Sequence, residues 1–479
     1  MLFNSIEFAV FFPLVAILYF VLPRSWRTPV LLVASCIFYM AFIPAYIFIL
    51  IITIMIDYTA AIYLDRAKGR TRTMLLTASI VATCAVLFVF KYYEFFQTNF
   101  MGLAAICGWS VAIPYLKVVL PIGLSFHTFQ SLSYVIEVYR GRQTVETNLI
   151  TYATYVMFFP QLVAGPIERP QNLLHQFYER HSFDYDRVAS GLRRMAVGFF
   201  KKLVIADRLA LYVNDVFRAP QNFNGLQLSL ATVFFAYQIY FDFSGYSDIA
   251  IGSARVLGFK LMENFDRPYH SRSIGEFWHR WHISLSTWFR DYLYLPLGGS
   301  RVTVPRWCVN ILITFAVSGL WHGANWTFVV WGLLNGAYLL TGEMTRSWRD
   351  RAWAGIGVLP ESLARRSIQI FTTFVLVSVG WVFFRSGSLS DAFYVLGHFW
   401  RDWNSAAIGT EQFLLRQMPV AIGAICLLEL GQLVQTSRRI REGFARWPVF
   451  LRWPVYISFA LGVVMFGIYR ETQFIYFQF

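Results

Sequence analysis

Apolar runs long enough to cross a lipid bilayer recur from Phe8 to the end of the chain, and no other feature constrains the fold so strongly. A hydrocarbon layer roughly 30 Å thick takes about 20 helical residues to cross. Inside it no water reaches the backbone, so each run must satisfy its own amides and carbonyls, which a helix does. Of 479 residues, 57% are apolar and only 14% charged, too few polar side chains to coat a soluble globule of this length. The expected fold is all-α and polytopic, with about eleven spanning helices plus re-entrant or interfacial ones, adjoining runs being hard to divide. The runs fall near residues 8–22, 29–43, 45–64, 73–91, 115–138, 148–165, 226–256, 306–320, 326–341, 367–384, 412–434 and 450–468. Several are short for a full crossing. Broken helices at membrane depth are tolerated only where protein or a water-filled cavity covers them, the setting a buried reaction needs.

Basic residues set the expected orientation. No Lys or Arg precedes the first run and no small-residue cleavage site follows it, so it reads as a retained helix rather than a leader. Arg24 and Arg27 come after it, and Arg66, Lys68, Arg70 and Arg72 follow two further runs. Placing both clusters in the cytoplasm puts the N-terminus in the periplasm, and the basic stretch from Arg438 to Arg446 fits the same side. A net charge of +14 spread through short loops is a topology signal with anionic lipid contact, and no nucleic-acid partner is expected from it. Five single cysteines, without CxxC pairing, support neither a disulfide framework nor a zinc site. Lacking linkers or internal repeats, residues 1–479 read as one membrane domain, and the missing repeat counts against a secondary transporter. Residues 187–218, with Arg193, Arg194, Lys201, Lys202, Asp207 and Arg208 among apolar positions at helical spacing, are expected along the cytoplasmic interface.

Four polar segments interrupt the apolar pattern. In SIGEFWHRWHISLSTWFRDYLYLPLGG (273–299), Ser273 and Glu276 form an S-x-x-E capping box, predicting a helix that carries His279 and His282 on its early turns. The two histidines stand three apart, but no third His, Cys or HExxH pattern joins them, and no metal is expected. Spacing alone favours His282 as a hydrogen-bonded packing residue in an aromatic belt. In SGLWHGANW (318–326), Gly319 and Gly323 are four apart and admit another backbone closely, with His322 inside that contact. An ionisable residue at such a place is costly in hydrocarbon, which argues for function. A neutral imidazole there can take a proton from a hydroxyl attacking a thioester; a satisfied core histidine is the competing reading. Asn325 stands near enough in sequence to orient the ring or donate to an oxyanion. YFDFSGYSD (240–248) sets Asp242 and Asp248 in an apolar run, where a structural pairing with Arg290 or Arg255 is favoured over a catalytic base or a water channel. Glu168 and Arg169, after Pro166, are expected at the membrane surface without a catalytic role.

Six segments in order then carry a resemblance: MLFNSIEFAVFF at the start, PIGLSFHTFQSLSYVIEVYRG (121–141), FFPQLVAGPIERP (158–170), FDFSGYSDIAIG (241–252), FWHRWHISLSTWFRDYLYLPLGG (277–299) and SGLWHGANWTFVVWG (318–332). Together they resemble the membrane-bound O-acyltransferases, in particular the branch that O-acetylates alginate and other exported polysaccharides. The resemblance implies helices arranged around a funnel and channel. It implies His322 as the essential histidine, with His282 beside it as the second catalytic candidate. Asp242, Trp321, Asn325, Ser286 and Arg290 would contact substrate or line the channel. It further implies acetyl-CoA as donor with no bound cofactor, a bacterial inner-membrane location, an exported polysaccharide as acceptor and a periplasmic SGNH-hydrolase-like partner. No Ser-His-Asp triad or GxSxG elbow appears in the chain, so a covalent serine is expected on the partner. Transfer of D-alanyl groups to teichoic acid, O-acetylation of peptidoglycan, and polysaccharide export without chemistry are the alternatives.

Overall fold

The computed structural model describes residues 1–116, 119–163, 165–403, 416–436, 448–469 and 474–475. Arg438 to Arg446, and residues 412–415 at the start of the 412–434 run, lie outside them. Among the described residues there are helices and turns and no strand. The first helices are α1 (Ile6–Val21), α2 (Arg24–Met40), α3 (Ile47–Arg66), α4 (Gly69–Leu87), α5 (Tyr93–Ile106), α6 (Leu124–Tyr139) and α7 (Leu149–Met157). Then come α8 (Phe159–Leu162), α9 (Pro170–Leu173), α10 (Tyr185–Phe199), α11 (Asp207–Arg218), α12 (Gly225–Leu257), α13 (Ile274–Arg280) and α14 (Ile283–Phe289). Last are α15 (Val304–His322), α16 (Trp326–Met344), α17 (Arg346–Gly355), α18 (Leu363–Arg385), α19 (Leu389–His398), α20 (Met418–Thr436) and α21 (Val449–Phe466).

Four described helical stretches are long and apolar enough to cross a bilayer: Pro44–Arg66, Gly69–Ile106, Val304–His322 and Leu363–Arg385. Ile6–Val21, Met418–Gly431 and Phe450–Phe466 are shorter apolar helices. Two expected runs are interrupted. The 148–165 run breaks at Phe158 into α7 and α8, and helix in the 115–138 run begins only at Leu124, where Gly123 supplies the left-handed backbone (φ 76°) that precedes it.

The chain clusters into two compact units. One comprises Met1–Leu192 and Ala250–Thr373, the other Arg193–Ile249 and Phe374–Gln478. In the first, Phe3, Phe8, Phe38 and Phe159 form an aromatic cluster, with ring centroids 4.9 Å apart for Phe3–Phe8 and 5.8 Å for Phe38–Phe159. Asp57 of α3 is fully buried, and its Oδ1 accepts the Ser79 and Thr83 hydroxyls of α4 at 2.7 and 2.9 Å, pinning the two helices together. Arg72 donates to the Val138 carbonyl at 3.2 Å and lies over the Tyr139 ring at 5.4 Å. That contact brings the basic turn between α3 and α4 to the C-terminal end of α6. Glu168, expected at a surface, is buried instead. Its carboxylate accepts the Met262 amide at 2.6 Å and the Asn172 side chain at 2.5 Å, tying the loop before α9 to the segment after α12.

In the second unit, the wide turn Phe200–Ala206 links α10 and α11 and buries Lys202 between Asp207 and Asp242, both at 2.7 Å. Asp248 receives Arg194 at 2.9 Å and Lys201 at 2.6 Å. Both α12 carboxylates are paired, as the cost of an isolated charge demands, but with cations of the 193–202 stretch. Arg290 meets Asp291 at 2.8 Å. Lys202, Asp207 and Arg208, expected along an interface, are buried inside this unit.

Candidate active site

The site is built on a helix that breaks. Ser273 opens α13 as expected, its hydroxyl accepting the Glu276 amide at 3.1 Å. The helix then stops after Arg280. At His282 the backbone enters the left-handed region (φ 43°, ψ 54°), and α14 starts at Ile283. A non-glycine residue held there costs roughly 1–2 kcal/mol, so the surroundings must impose it. Asn264 does much of this. Its carbonyl receives Ile283 N at 2.9 Å, and its side-chain Oδ1 receives Ser284 N at 3.3 Å, Ser284 Oγ at 2.9 Å and His282 Nδ1 at 3.1 Å. Because Oδ1 only accepts, His282 carries its proton on Nδ1 and presents Nε2 as the basic nitrogen. The ring is fully buried, lying near-parallel to Phe126 of α6 with centroids 6.1 Å apart.

His322 is the last residue of α15, 4% exposed. Just before it, α15 and α16 cross backbone to backbone. A Cβ on Gly319 would stand 2.2 Å from the Phe328 carbonyl oxygen, and one on Gly332 equally close to that of Phe315. At Gly323 a Cβ would strike the Phe328 ring. The close approach read from the glycine spacing is therefore present. The imidazole meets Trp331 of α16 edge-on at 4.9 Å and Trp321 at 5.0 Å. Trp321 in turn lies 6.4 Å from the His282 ring and stacks on Phe129 at 5.2 Å, so one indole neighbours both histidines.

Lys91 closes the end of α15. It sits in the wide turn Phe88–Tyr92 between α4 and α5, and its ammonium donates to the Trp321 carbonyl at 2.5 Å and the His322 carbonyl at 3.2 Å. These are carbonyls that a helix end leaves without intrahelical partners, and a cation there also suits the helix dipole. The same nitrogen approaches Ser125 Oγ at 3.4 Å.

A cavity of about 400 Å³ opens among α13 to α16, lined largely by their apolar groups and not by His282 or His322 themselves. Ile311, Thr314 and Ser318 contribute to it from α15, and their spacing is the helical repeat that continues to His322. Ser286 lines its other side, as do Arg290 and Tyr294.

A model of the MBOAT, membrane-bound O-acyltransferase family, matches residues 142–356, which include both histidines, the crossing glycines and the cavity. The chain is 37% identical to a probable alginate O-acetylase of Azotobacter vinelandii over 93% of this chain and 86% of the relative. It is 35% identical to one of Pseudomonas putida over the full length of both. This chain belongs to the membrane-bound O-acyltransferase family. A peptidoglycan O-acetyltransferase of Helicobacter pylori is also similar, at 32% identity over 83% of this chain and 79% of the relative.

As a member of that family the chain is an O-acyltransferase, and its residues fall into three groups. His322, His282 and Trp321 come together, with Ser286 and Arg290 in the adjoining cavity wall. Asn325 is placed otherwise: its Oδ1 accepts the Thr327 amide at 3.0 Å and caps α16. Asp242 belongs to the second unit, where Lys202 and the Ile475 amide, each at 2.7 Å, hold it. Two residues beside the candidate histidines went unread in the sequence. Lys91 carried a signal, a lone cation inside the apolar run FVFKYYEFF. Asn264 carried none, since only the fold brings it to His282.

Proposed function

We propose that this O-acyltransferase takes acetyl groups from cytoplasmic acetyl-CoA and delivers them across the inner membrane for O-acetylation of an exported polysaccharide of the alginate kind. A periplasmic SGNH-hydrolase-like partner would supply the receiving hydroxyl, and the whole of residues 1–479 would act as one membrane domain. The observation that carries this reading is His322, buried at the end of α15 beside Trp321 and one helical turn beyond Ser318, which lines the cavity. Full-length similarity to the Pseudomonas putida alginate O-acetylase favours a polysaccharide acceptor.

In the proposed step, the imidazole of His322 takes the proton of the attacking hydroxyl as its oxygen bonds to the thioester carbonyl carbon. The carbon–sulfur bond then breaks, the thiolate leaves as coenzyme A and recovers that proton, and the acetyl group remains as an ester. His282, with its proton fixed on Nδ1 by Asn264, keeps Nε2 able to accept a hydrogen bond from a donor or acceptor group. Ser286 and Arg290 line the cavity, and Trp321 neighbours both imidazoles.

The test replaces His322 by Ala and measures ester-linked acetate on the secreted polymer. The variant is expected at normal levels in the membrane, with polymer in normal amount but without esters. Normal ester content would remove the reading, and a change in polymer amount with esters retained would point to export instead. Esters lost from peptidoglycan rather than from exopolysaccharide would move the acceptor to that of the Helicobacter pylori relative.

A further inference from the structure

The joint that carries His322 is held from outside by one segment of the chain. α15 stops at His322 and α16 starts at Trp326, so the crossing glycines fix the two helices and leave the joint between them to other contacts. Two of these come from the stretch that joins α4 to α5 and continues along α5. On the near side of the joint, Lys91 donates to the Trp321 carbonyl at 2.5 Å and to the His322 carbonyl at 3.2 Å. On the far side, about two helical turns further along the same stretch, Asn99 Oδ1 receives the Trp326 indole Nε1 at 2.8 Å. The Asn99 amide is oriented for this, because its Nδ2 donates to the Phe95 carbonyl at 2.7 Å and leaves Oδ1 as the acceptor. The Phe95 ring packs on the same indole, with centroids 5.6 Å apart.

Packing alone gives no reason for a lysine here. Lys91 stands in the apolar stretch FVFKYYEFF, and among the described residues no carboxylate pairs with its ammonium. A lone cation at membrane depth is expensive. Its compensation is the two carbonyls, the Trp321 ring at 5.6 Å and Ser125 Oγ at 3.4 Å, so all that offsets the cost lies around the end of α15. The backbone departs from regular helix at the same place. Phe88–Tyr92 forms a wide turn in which the Tyr93 amide reaches back to the Phe88 carbonyl, a geometry that inserts a residue into a helix and occurs frequently at functional positions.

We propose that Lys91 and Asn99 are positioning residues for acyl transfer: they clamp the joint between α15 and α16 from both sides and so fix the His322 imidazole against the reacting hydroxyl. They act through the backbone of residues 321 and 322 and through the Trp326 indole, without touching substrate. A shift of about 1 Å in a reacting group costs rate steeply, so such a clamp acts on kcat rather than on donor binding. This inference rests on the reading of His322 given above and adds what holds that residue in place.

Rates are measured as labelled acetate transferred from acetyl-CoA to polymer by native membranes containing the full chain, normalised to the amount of chain present. Lys91→Met is expected to lower kcat roughly ten- to a hundredfold, with KM for acetyl-CoA within about twofold of wild type. Lys91→Arg, which keeps a charge and donors for the carbonyls, is expected to recover much of the loss. Asn99→Ala and Trp326→Phe remove the two halves of one bond at partly exposed positions, and they stand if the Lys91 variants fail to fold. Each is expected to lower kcat about threefold, and the double variant no further than either alone. A rise in KM with kcat unchanged, additive losses in the double variant, or a Lys91→Arg variant as slow as Lys91→Met would overturn the proposal. Full rates in the Lys91 and Asn99 variants beside an inactive His322→Ala would remove the clamp alone. A fully active His322→Ala would remove the reading on which the clamp rests.

Discussion

Asn264 Oδ1 receives Ser284 N, Ser284 Oγ and His282 Nδ1, so a single amide sets both the strained backbone of His282 and the position of its proton. Replacing it by Ala leaves those donors without an acceptor in a buried place, a loss of roughly 1–3 kcal/mol. Felt in the transition state, that predicts a fall in kcat of about ten- to a hundredfold. KM for the donor should stay nearly unchanged, and Asn264→Asp, which keeps the acceptor, should recover much of the rate; a change in KM alone would place Asn264 in donor binding instead. Glu168 offers a pH test. Burial raises its pKa from 4.5 to about 7, against the lowering effects of the Asn172 and Met262 hydrogen bonds and of Arg169. A folded pKa above the unfolded one means its stabilising contribution is complete below the unfolded value and is lost as pH rises through about 7. Melting temperatures of the wild type should therefore drop more steeply between about pH 5 and pH 8 than those of Glu168→Gln, and parallel slopes would refute this. At this scale the tight setting of His322 was legible, because glycines four apart in an apolar run announce a close backbone contact, and the ring is found buried beside one. The capping role of Asn325 Oδ1 was not read from the sequence, although an asparagine just before a helix is well suited to it.

Helix ends were partly legible for a related reason. The capping box at Ser273 gave the start of α13 correctly, since capping is local chemistry. The break at Trp281–His282 was not legible, because periodicity continues through it and only the Asn264 contact interrupts the helix. The crossing of α15 and α16 sits between these cases: spacing announced a close approach, and the partner glycine, Gly332, came from the fold. Gly319→Ala forces a Cβ to 2.2 Å from a backbone oxygen that has no side-chain freedom to move away. A destabilisation of about 1–3 kcal/mol is expected, read as a lower melting temperature in detergent. Gly342→Ala, with nothing within 4 Å of the added carbon, is the control and should lose no stability.

Across the whole molecule, apolar runs specified an all-helical membrane protein, because hydrocarbon leaves a lone segment no other way to satisfy its backbone. The number of spans was less legible, since runs such as 148–165 are long enough in sequence yet fold as two short helices. Orientation can be tested on the native Cys107, exposed between α5 and α6, in a chain whose other cysteines are replaced. An impermeant maleimide should reach it from outside intact spheroplasts, whereas a cysteine at position 142 should react only after lysis; the reverse pattern would invert the topology. The glycine contact between α15 and α16 has a further bearing on which acyl groups the enzyme accepts. If the cavity is the reaction chamber proposed above, two backbones already touching leave no room between α15 and α16 for a longer chain, and that side would act as a fixed gauge. Any relative that evolved to carry a bulkier acyl group would have to find the room by reshaping α13 and α14.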